Sequence, residues 1–489
     1  MTDERKAWRR AALLGLGLAC GAAHGADDAV SLHYDGVLGT SLDLTLYGVA
    51  REPAEAASAA ALTEIARLDA ILSSYRDDSE LMRLNRSHAS SAASTELLDV
   101  VELCETWLRR SEERFSCRLG SLIAHWREAE TEQAIPDRPT LRHEARAIAE
   151  GSVTVARQSG SVQMDPAIAL ETSGLAKGYV IDRALAVLRE QLPQAVAIKL
   201  DIGGDAAYWG SPPGAAGWEV GIADPVHTAD NGNYLGRIVL RDAAIAASGH
   251  FSRTRDIGRR QFSHILNPRD GWPVEGGSAA VVVAADAATA DAVATALAVR
   301  SLSEGLAWVE TLEGVQALLI DQDGRQLMTP GWPALPSSDA PEGAATALDF
   351  QFSFALPQVE ATNYARPYVA IWISDLEQQP LKNLLLLGES ERWARENSRW
   401  WRRVGRRDPA LLDGVARPTR GPGEYQLQWD GRDDFGKPVP AGEYLLHVEV
   451  SREHGGSTYR SVAFTLGGAP TVLDLAPEGE SGVLHLNIK

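Results

Sequence analysis

The sequence predicts an α+β unit followed by an all-β sandwich of immunoglobulin-like type. Three observations lead there. Glycine-bounded strand patterns alternate with helical patterns as far as residue 328, a stretch dense in Pro, Gly, Ser and Ala follows at residues 329–345, and only short alternating runs remain beyond it. A chain of 489 residues, 45% of them hydrophobic, has apolar mass for two or three cores. The net charge of −19 opposes a polyanionic partner, since counterion release needs clustered Lys and Arg, and this argues against nucleic acid.

Residues 1–25 read as a signal peptide: Lys6, Arg9 and Arg10 form a basic start, residues 11–23 are apolar, and Ala23, Gly25 and Ala26 offer a peptidase site. Arg9-Arg10 sits among residues that match a twin-arginine signal weakly, so the ordinary secretory route is expected. Cys20 follows Leu18-Ala19 as in a lipobox, yet Gly17 stands where Leu is usual, and lipidation is the less favoured reading. Export to the periplasm follows. Cleavage leaves Cys104 and Cys117, which could pair in an exported protein, but with a helical pattern running through the first, two isolated thiols are the favoured expectation.

Residues 36–48 alternate like a strand, residues 56–73 place Leu62, Ile65, Leu68 and Leu72 on one helical face, and residues 94–110 and 181–192 read as further helices. The apolar run 196–202 leads into Gly203, Gly204 and Asp205, a transition that lets backbone approach a ligand. Beyond the break, DFQFSFALPQ, PYVAIWISD and EYLLHVEVS carry the short alternation of an antiparallel sandwich.

Chemistry concentrates in three segments. ETSGLAKGYVIDRAL, residues 171–185, joins small residues and Lys177-Gly178 to a helix expected to begin near Tyr179, a plausible anion site, although taken alone a solvated lysine at a glycine-bearing helix start is the commoner explanation. SGHFSRTRDIGRRQFSHILNPRDGWPV, residues 248–274, sets His264 beside a tight Pro/Gly turn, where a structural histidine is the plain alternative. In AADAATADAVATALAV, residues 284–299, Asp291 and Thr295 are one turn apart and offer oxygen ligands to a hard cation, with a simple polar face as the alternative.

Together these segments resemble the ApbE family, the FAD:protein FMN transferases, whose hallmarks read approximately DLGGIAKGYAVD, SGDY…HIIDPRTG and ADALATAL. Here they stand as ETSGLAKGYVID, SGHF…HILNPRDG and ADAVATAL. LGTSLDLTLYG is similar to the family's opening MGT strand, SSYRDDSELMRLN to its STYxPDSELSRLN segment, and FSCRLGSLIAHW to the stretch ending in a Trp before the flavin pocket. The resemblance implies a transferase domain over residues 30–330, a linker at 331–346 and the sandwich over 347–489.

Position by position, it implies that Asp291, Thr295 and the Gly174 carbonyl hold Mg²⁺, and that Leu38, Tyr75, Trp126, Glu171, Lys177 and His264 line the FAD site. His264 and Glu171 are the implied catalytic residues, and the implied partner is an exported acceptor protein whose Ser or Thr receives FMN while AMP leaves. The chain departs from the pattern at Glu171 for Asp, Thr172-Ser173 for Leu-Gly, Asn267 for Asp and Leu38 for Met. These departures keep an alternative open, a periplasmic flavin-binding protein or FAD hydrolase without protein flavinylation. A purely structural adaptor is a weaker third class.

The C-terminal region resembles a β-domain attached to some exported ApbE proteins, and WDGRDDFGKPVPAGEY is similar to a turn in immunoglobulin-like domains of flagellar hook-cap proteins. Asp430, Asp433 and Asp434 in it are read as turn chemistry rather than a Ca²⁺ site. WARENSRWWRRVGRRD, residues 393–408, is read as a helix packing its tryptophans on the sheet, with a basic docking surface as the alternative.

Overall fold

The computed structural model describes residues 29–223, 234–249, 254–322, 324–333, 350–358, 366–388, 396–405, 416–417, 422–434, 438–452 and 456–488. The expected signal peptide, most of the expected linker, His250 and Trp393 lie outside them.

Hairpin strands β1 (Val30–Val37) and β2 (Thr40–Tyr47) precede helices α1 (Arg51–Leu72) and α2 (Glu80–Ser87). Strand β3 (Ala89–Ser90), helices α3 (Thr95–Arg110), α4 (Gly120–Glu132) and α5 (Arg138–Glu150), and strands β4 (Val153–Ala156) and β5 (Ser161–Met164) come next. Helix α6 (Ser173–Gln191) leads into β6 (Ala197–Ile202), β7 (Asp205–Gly210), β8 (Trp218–Ala223), β9 (Tyr234–Leu240) and β10 (Ala243–Ser248). Strands β11 (Thr254–Ile257), β12 (Arg260–Ser263) and β13 (Ala279–Ala284), helices α7 (Ala287–Ala298) and α8 (Leu302–Val309), and strands β14 (Gln316–Ile320) and β15 (Gln326–Met328) complete this part.

An eight-stranded sheet in the order β1-β2-β6-β7-β10-β13-β14-β15 forms the scaffold, with every neighbouring pair antiparallel. Strand alternation separates its two faces. In β13, Ala280, Val282 and Ala284 pack under the helices, while Ala279, Val281 and Val283 face the cluster that holds Trp218, Ile222 and Ile238 of the β8–β9 hairpin. Both faces are covered, so AAVVVA is apolar throughout.

Helix α6 starts at Ser173, about two turns before the expected position near Tyr179. The early glycines mark the closeness of the next helix rather than a loop. A methyl group at Gly178 would overlap the Ala287 carbonyl of α7. Asp182, one turn further along α6, accepts hydrogen bonds from the Ala287 and Ala288 amides at 2.8 and 3.0 Å, satisfying amides at the start of α7.

The C-terminal part is a two-sheet sandwich. Strands β16 (Phe350–Leu356), β17 (Tyr368–Ser374), β18 (Pro380–Leu387), β19 (Ala416–Arg417), β20 (Gly423–Trp429), β21 (Gly442–Ser451), β22 (Ser457–Leu466), β23 (Thr471–Leu475) and β24 (Leu484–Ile488) form sheets β20-β16-β24-β23 and β19-β18-β17-β21-β22. Phe350, Phe352, Phe354 and Leu486 of one meet Ile371, Leu385 and Val448 of the other in a shared core. On the second sheet's outer face, Trp400 is fully buried against Trp372 and Leu386. Its indole N–H donates to Asn383 Oδ1 at 2.7 Å, and the Glu449 carboxylate accepts the Arg399 and Trp400 amides. Asp434 accepts from the Asn383 amide and side chain, which ties its segment to β18 rather than closing its own turn.

Cys104 and Cys117 form a disulfide with Cα atoms 5.7 Å apart, which corrects the expectation of isolated thiols. After α3, Glu112 and Glu113 both take left-handed backbone conformations (φ 55° and 63°), and the Ser111 hydroxyl accepts the Phe115 amide at 2.9 Å. The chain thus doubles back along the helix. Helical periodicity through Cys104 carries no trace of that reversal. Because the bond closes a short loop, Cys104→Ser with Cys117→Ser is expected to lower stability by about 3 kcal/mol, read as a reduced urea midpoint. An unchanged midpoint would contradict it.

Candidate functional site

The registers place several turns at one end of the main sheet. Leu38-Gly39 closes the β1–β2 hairpin with both residues at positive φ (50° and 78°), as a two-residue turn requires. The Gly203-Gly204 turn between β6 and β7 lies beside it, with the Gly203 amide donating to the Ser41 carbonyl at 3.1 Å. Leu38 packs partly against the main core. Asp205 begins β7 just after the second turn, and Ser248 ends β10 at the same edge.

The three expected metal ligands converge there. Helix α6 directs the Gly174 carbonyl toward the Gly178 amide. Asp291 Oδ2 reaches that amide at 3.3 Å. Thr295, one turn along α7, has its hydroxyl and methyl 3.3 Å from where a Gly174 Cβ would stand, and Ser248 Oγ is 3.4 Å from Thr295 Oγ1. A carboxylate, a hydroxyl and a main-chain carbonyl form an all-oxygen set suited to a hard cation. Among the described residues no group of three or more His, Cys, Asp or Glu side chains is arranged for a metal.

Electrostatics sharpen the point. Burial, then the nearby charge of Asp205, push the Asp291 carboxyl up to about 8, with Lys177 and the Gly178 amide opposing. Lys177 Nζ pairs with Asp205 Oδ2 at 2.5 Å, and Asp205 Oδ1 accepts the Ala247 amide at 3.2 Å. Asp205 carried only the signal of following two glycines, so its partnership with Lys177 was not legible. An acidic residue leading the small apolar run DAAYWG is the feature that could have drawn attention.

Glu171 precedes α6, and both its oxygens are engaged. Oε1 accepts from Ser74 Oγ and Oε2 from Ser173 Oγ, each at 2.7 Å. Thr172 is buried and donates its hydroxyl to the Leu72 carbonyl at 3.2 Å. The departures from the family wording therefore act as one unit in which Ser173 meets the longer Glu171 side chain. The adjustment is a side-chain hydrogen bond, since Ser173 has an ordinary negative φ.

Tyr75 follows Ser74 and is 73% exposed, with the Arg127 guanidinium over its ring at 5.0 Å. Trp126, expected to line the flavin site, is instead fully buried. It packs on Phe262 and Trp272 with centroids 5.2 and 5.1 Å away, and its N–H donates to the Gly271 carbonyl at 2.9 Å. Its place is behind the His264 turn, because the indole fills the core between α4 and that turn. His264 itself is half-buried just after β12. Asn267 accepts the Arg269 amide through Oδ1 at 3.1 Å and its carbonyl accepts the Gly271 amide, so the neutral amide still closes the turn.

In metal-free protein, Asp291 keeps its proton in the folded state while the unfolded chain releases it. Its contribution to stability should therefore fall as pH rises from the ordinary carboxylate range to about 8. Asp291→Asn should remove that loss and be more stable than wild type by about 1–3 kcal/mol at pH 8 in chelator, with little difference near pH 4. Urea unfolding of both proteins at the two pH values decides it; equal stability at pH 8 would contradict the assignment.

Comparison with known proteins gives a consistent picture. The ApbE family model matches residues 38–319, and a model described as a predicted periplasmic protein, DUF2271, matches residues 349–483. The chain is 27% identical over 310 residues to a FAD:protein FMN transferase of Treponema pallidum, covering 59% of this chain and 84% of that one. It is 28% identical over 307 residues to one of Vibrio cholerae, covering 60% and 89%. The fold matches the ApbE protein of Thermotoga maritima with a TM-score of 0.55 at 22% identity, covering 62% of this chain and 97% of that one. It matches the flavin transferase ApbE from Vibrio cholerae with a TM-score of 0.52 at 24% identity, covering 63% and 98%. The chain belongs to the ApbE family.

Proposed function

We propose that this chain is a Mg²⁺-dependent FAD:protein FMN transferase acting on a Ser or Thr of an exported protein. The observation that carries the reading is the convergence of Gly174, Asp291 and Thr295 beside Glu171 and the Lys177–Asp205 pair. The name of the matched relatives and the length of the family match support it. Signal-like residues 1–25, the periplasmic description of the second matched model and the disulfide support export to the periplasm.

The buried carboxylate fits a divalent cation, because ionising Asp291 in a dry site next to Asp205 is unfavourable until positive charge arrives. Asp291, Thr295 and the Gly174 carbonyl would hold Mg²⁺, which when bound neutralises charge on the pyrophosphate oxygens. Tyr75, Leu38, Lys177 and the His264 turn would position FAD. The acceptor hydroxyl oxygen forms a bond to the FMN-side phosphorus, the bond from that phosphorus to the bridging oxygen breaks, and AMP leaves with the bridging oxygen. Glu171, fixed by two serine hydroxyls, and His264 would touch the reacting atoms and take up the hydroxyl proton. Beyond this, positioning and charge suffice.

The decisive test incubates the mature protein with FAD, Mg²⁺ and an acceptor bearing a Ser/Thr flavinylation site, and reads covalent flavin by gel fluorescence. Free FMN and AMP without labelled protein would favour hydrolysis. Asp291→Ala is expected to abolish Mg²⁺-dependent turnover, and Thr295→Ala to weaken it less, since a neutral hydroxyl binds a cation less strongly than a carboxylate. Full turnover in Asp291→Ala would refute the ligand assignment.

Glu171→Asp alone would draw the carboxylate away from the Ser74 and Ser173 hydroxyls and is expected not to speed transfer. Combined with Thr172→Leu and Ser173→Gly it should recover by about 1–2 kcal/mol in initial flavinylation rate. A single variant as fast as the triple would show that these positions are not coupled.

A further inference from the structure

The site as built has a charge deficit. Lys177, the ammonium near Asp291, is already paired with Asp205 at 2.5 Å, Glu171 lies close enough to add its charge, and Asp291 contributes a further negative charge once a cation ionises it. A pyrophosphate adds further negative charge, and one divalent cation offsets only part of the total. Several arginines are committed to carboxylates: Arg76 to Asp69 and Asp78, Arg138 to Asp270, and Arg255 to Glu130.

Arg127 differs. Its side chain is exposed on α4 and has no carboxylate within ion-pair distance among the described residues; its guanidinium lies over the Tyr75 ring at 5.0 Å. A guanidinium held over an aromatic ring and not engaged by a carboxylate has N–H donors to offer, and a phosphate can take two of them at once. A chain of contacts joins this pair to the cation ligands. Tyr75 follows Ser74, which donates to Glu171; Glu171 accepts from Ser173; and Gly174 meets Thr295.

We propose that Arg127 is an FAD-binding residue whose guanidinium, held by Tyr75, neutralises the dinucleotide's pyrophosphate. This rests on the reading of the chain as FAD-binding. Lys177 then serves to neutralise Asp205, and the ligand's charge is met from across the mouth of the site. FAD recognition depends on phosphate at Arg127 and on ring contact at Tyr75, so a flavin lacking phosphate should be indifferent to the arginine's charge.

The test is flavin-fluorescence titration of the mature protein at fixed Mg²⁺ with two ligands, FAD and riboflavin. Arg127→Gln is expected to weaken FAD about tenfold, the effect of losing one charge-assisted partner, and to leave riboflavin within about twofold. Arg127→Lys should retain part of the FAD affinity and restore its salt dependence. Equal losses for the two flavins, or no loss for FAD, would overturn the proposal while leaving the FAD-binding reading intact. Wild-type protein that binds neither flavin would overturn both.

Discussion

At Gly178, helix α6 comes so near helix α7 that a methyl group would overlap the Ala287 carbonyl, and the functional end of the molecule depends on this contact. The close approach brings Asp291 to the Gly178 amide and Thr295 to Gly174, so oxygens from two separate helices share one small volume. Asp182 secures the arrangement from the same helix by accepting the amides at the start of α7. Burial pushes its carboxyl up to about 6, with those two amides pulling the other way. The AKGYVID segment thus contributes a lysine to the site, a glycine to the helix contact and an aspartate to the neighbouring helix start.

Around this pair the sheet supplies the remaining parts from its ends. Antiparallel order brings the Leu38-Gly39 and Gly203-Gly204 turns to the same edge as Ser248, and Asp205 emerges there to hold Lys177. The tension at the centre is electrostatic: Asp291 is buried among like charges, an arrangement that disfavours the ionised group until a cation is present. If Asp291 holds the cation as proposed, function and stability pull against each other at this residue, as expected where a binding site is preorganised.

The sandwich solves a different problem. Its two sheets share an apolar core, but the outer face around Trp372 and Leu386 would be exposed without the segment carrying Trp400. The polar groups that come with that segment are met by Glu449 and Asn383, and His447 lies between Ser374 and Tyr459 with burial holding it neutral, down to about 4. The tryptophan of this basic, aromatic stretch is thereby used in packing.

Local chemistry was legible in the sequence itself. The 3.6-residue and two-residue periods disclosed α1, α3 and the sandwich strands, alanine-rich composition disclosed α7, and the four-residue spacing of Asp291 and Thr295 is enough to put both on one helical face. Partnerships between distant segments were not legible. The Cys104–Cys117 bond required the reversal at Glu112-Glu113, the Lys177–Asp205 pair required α6 to pack against β7, and Trp126 is core because the 262–272 hairpin folds over it. The early start of α6 was hidden for the same reason: Gly178 answers to Ala287 and Gly174 to Thr295, each more than a hundred residues away, and not to the neighbours along the chain. Periodicity records which face of an element is buried, whereas only the assembled tertiary structure decides what that face meets.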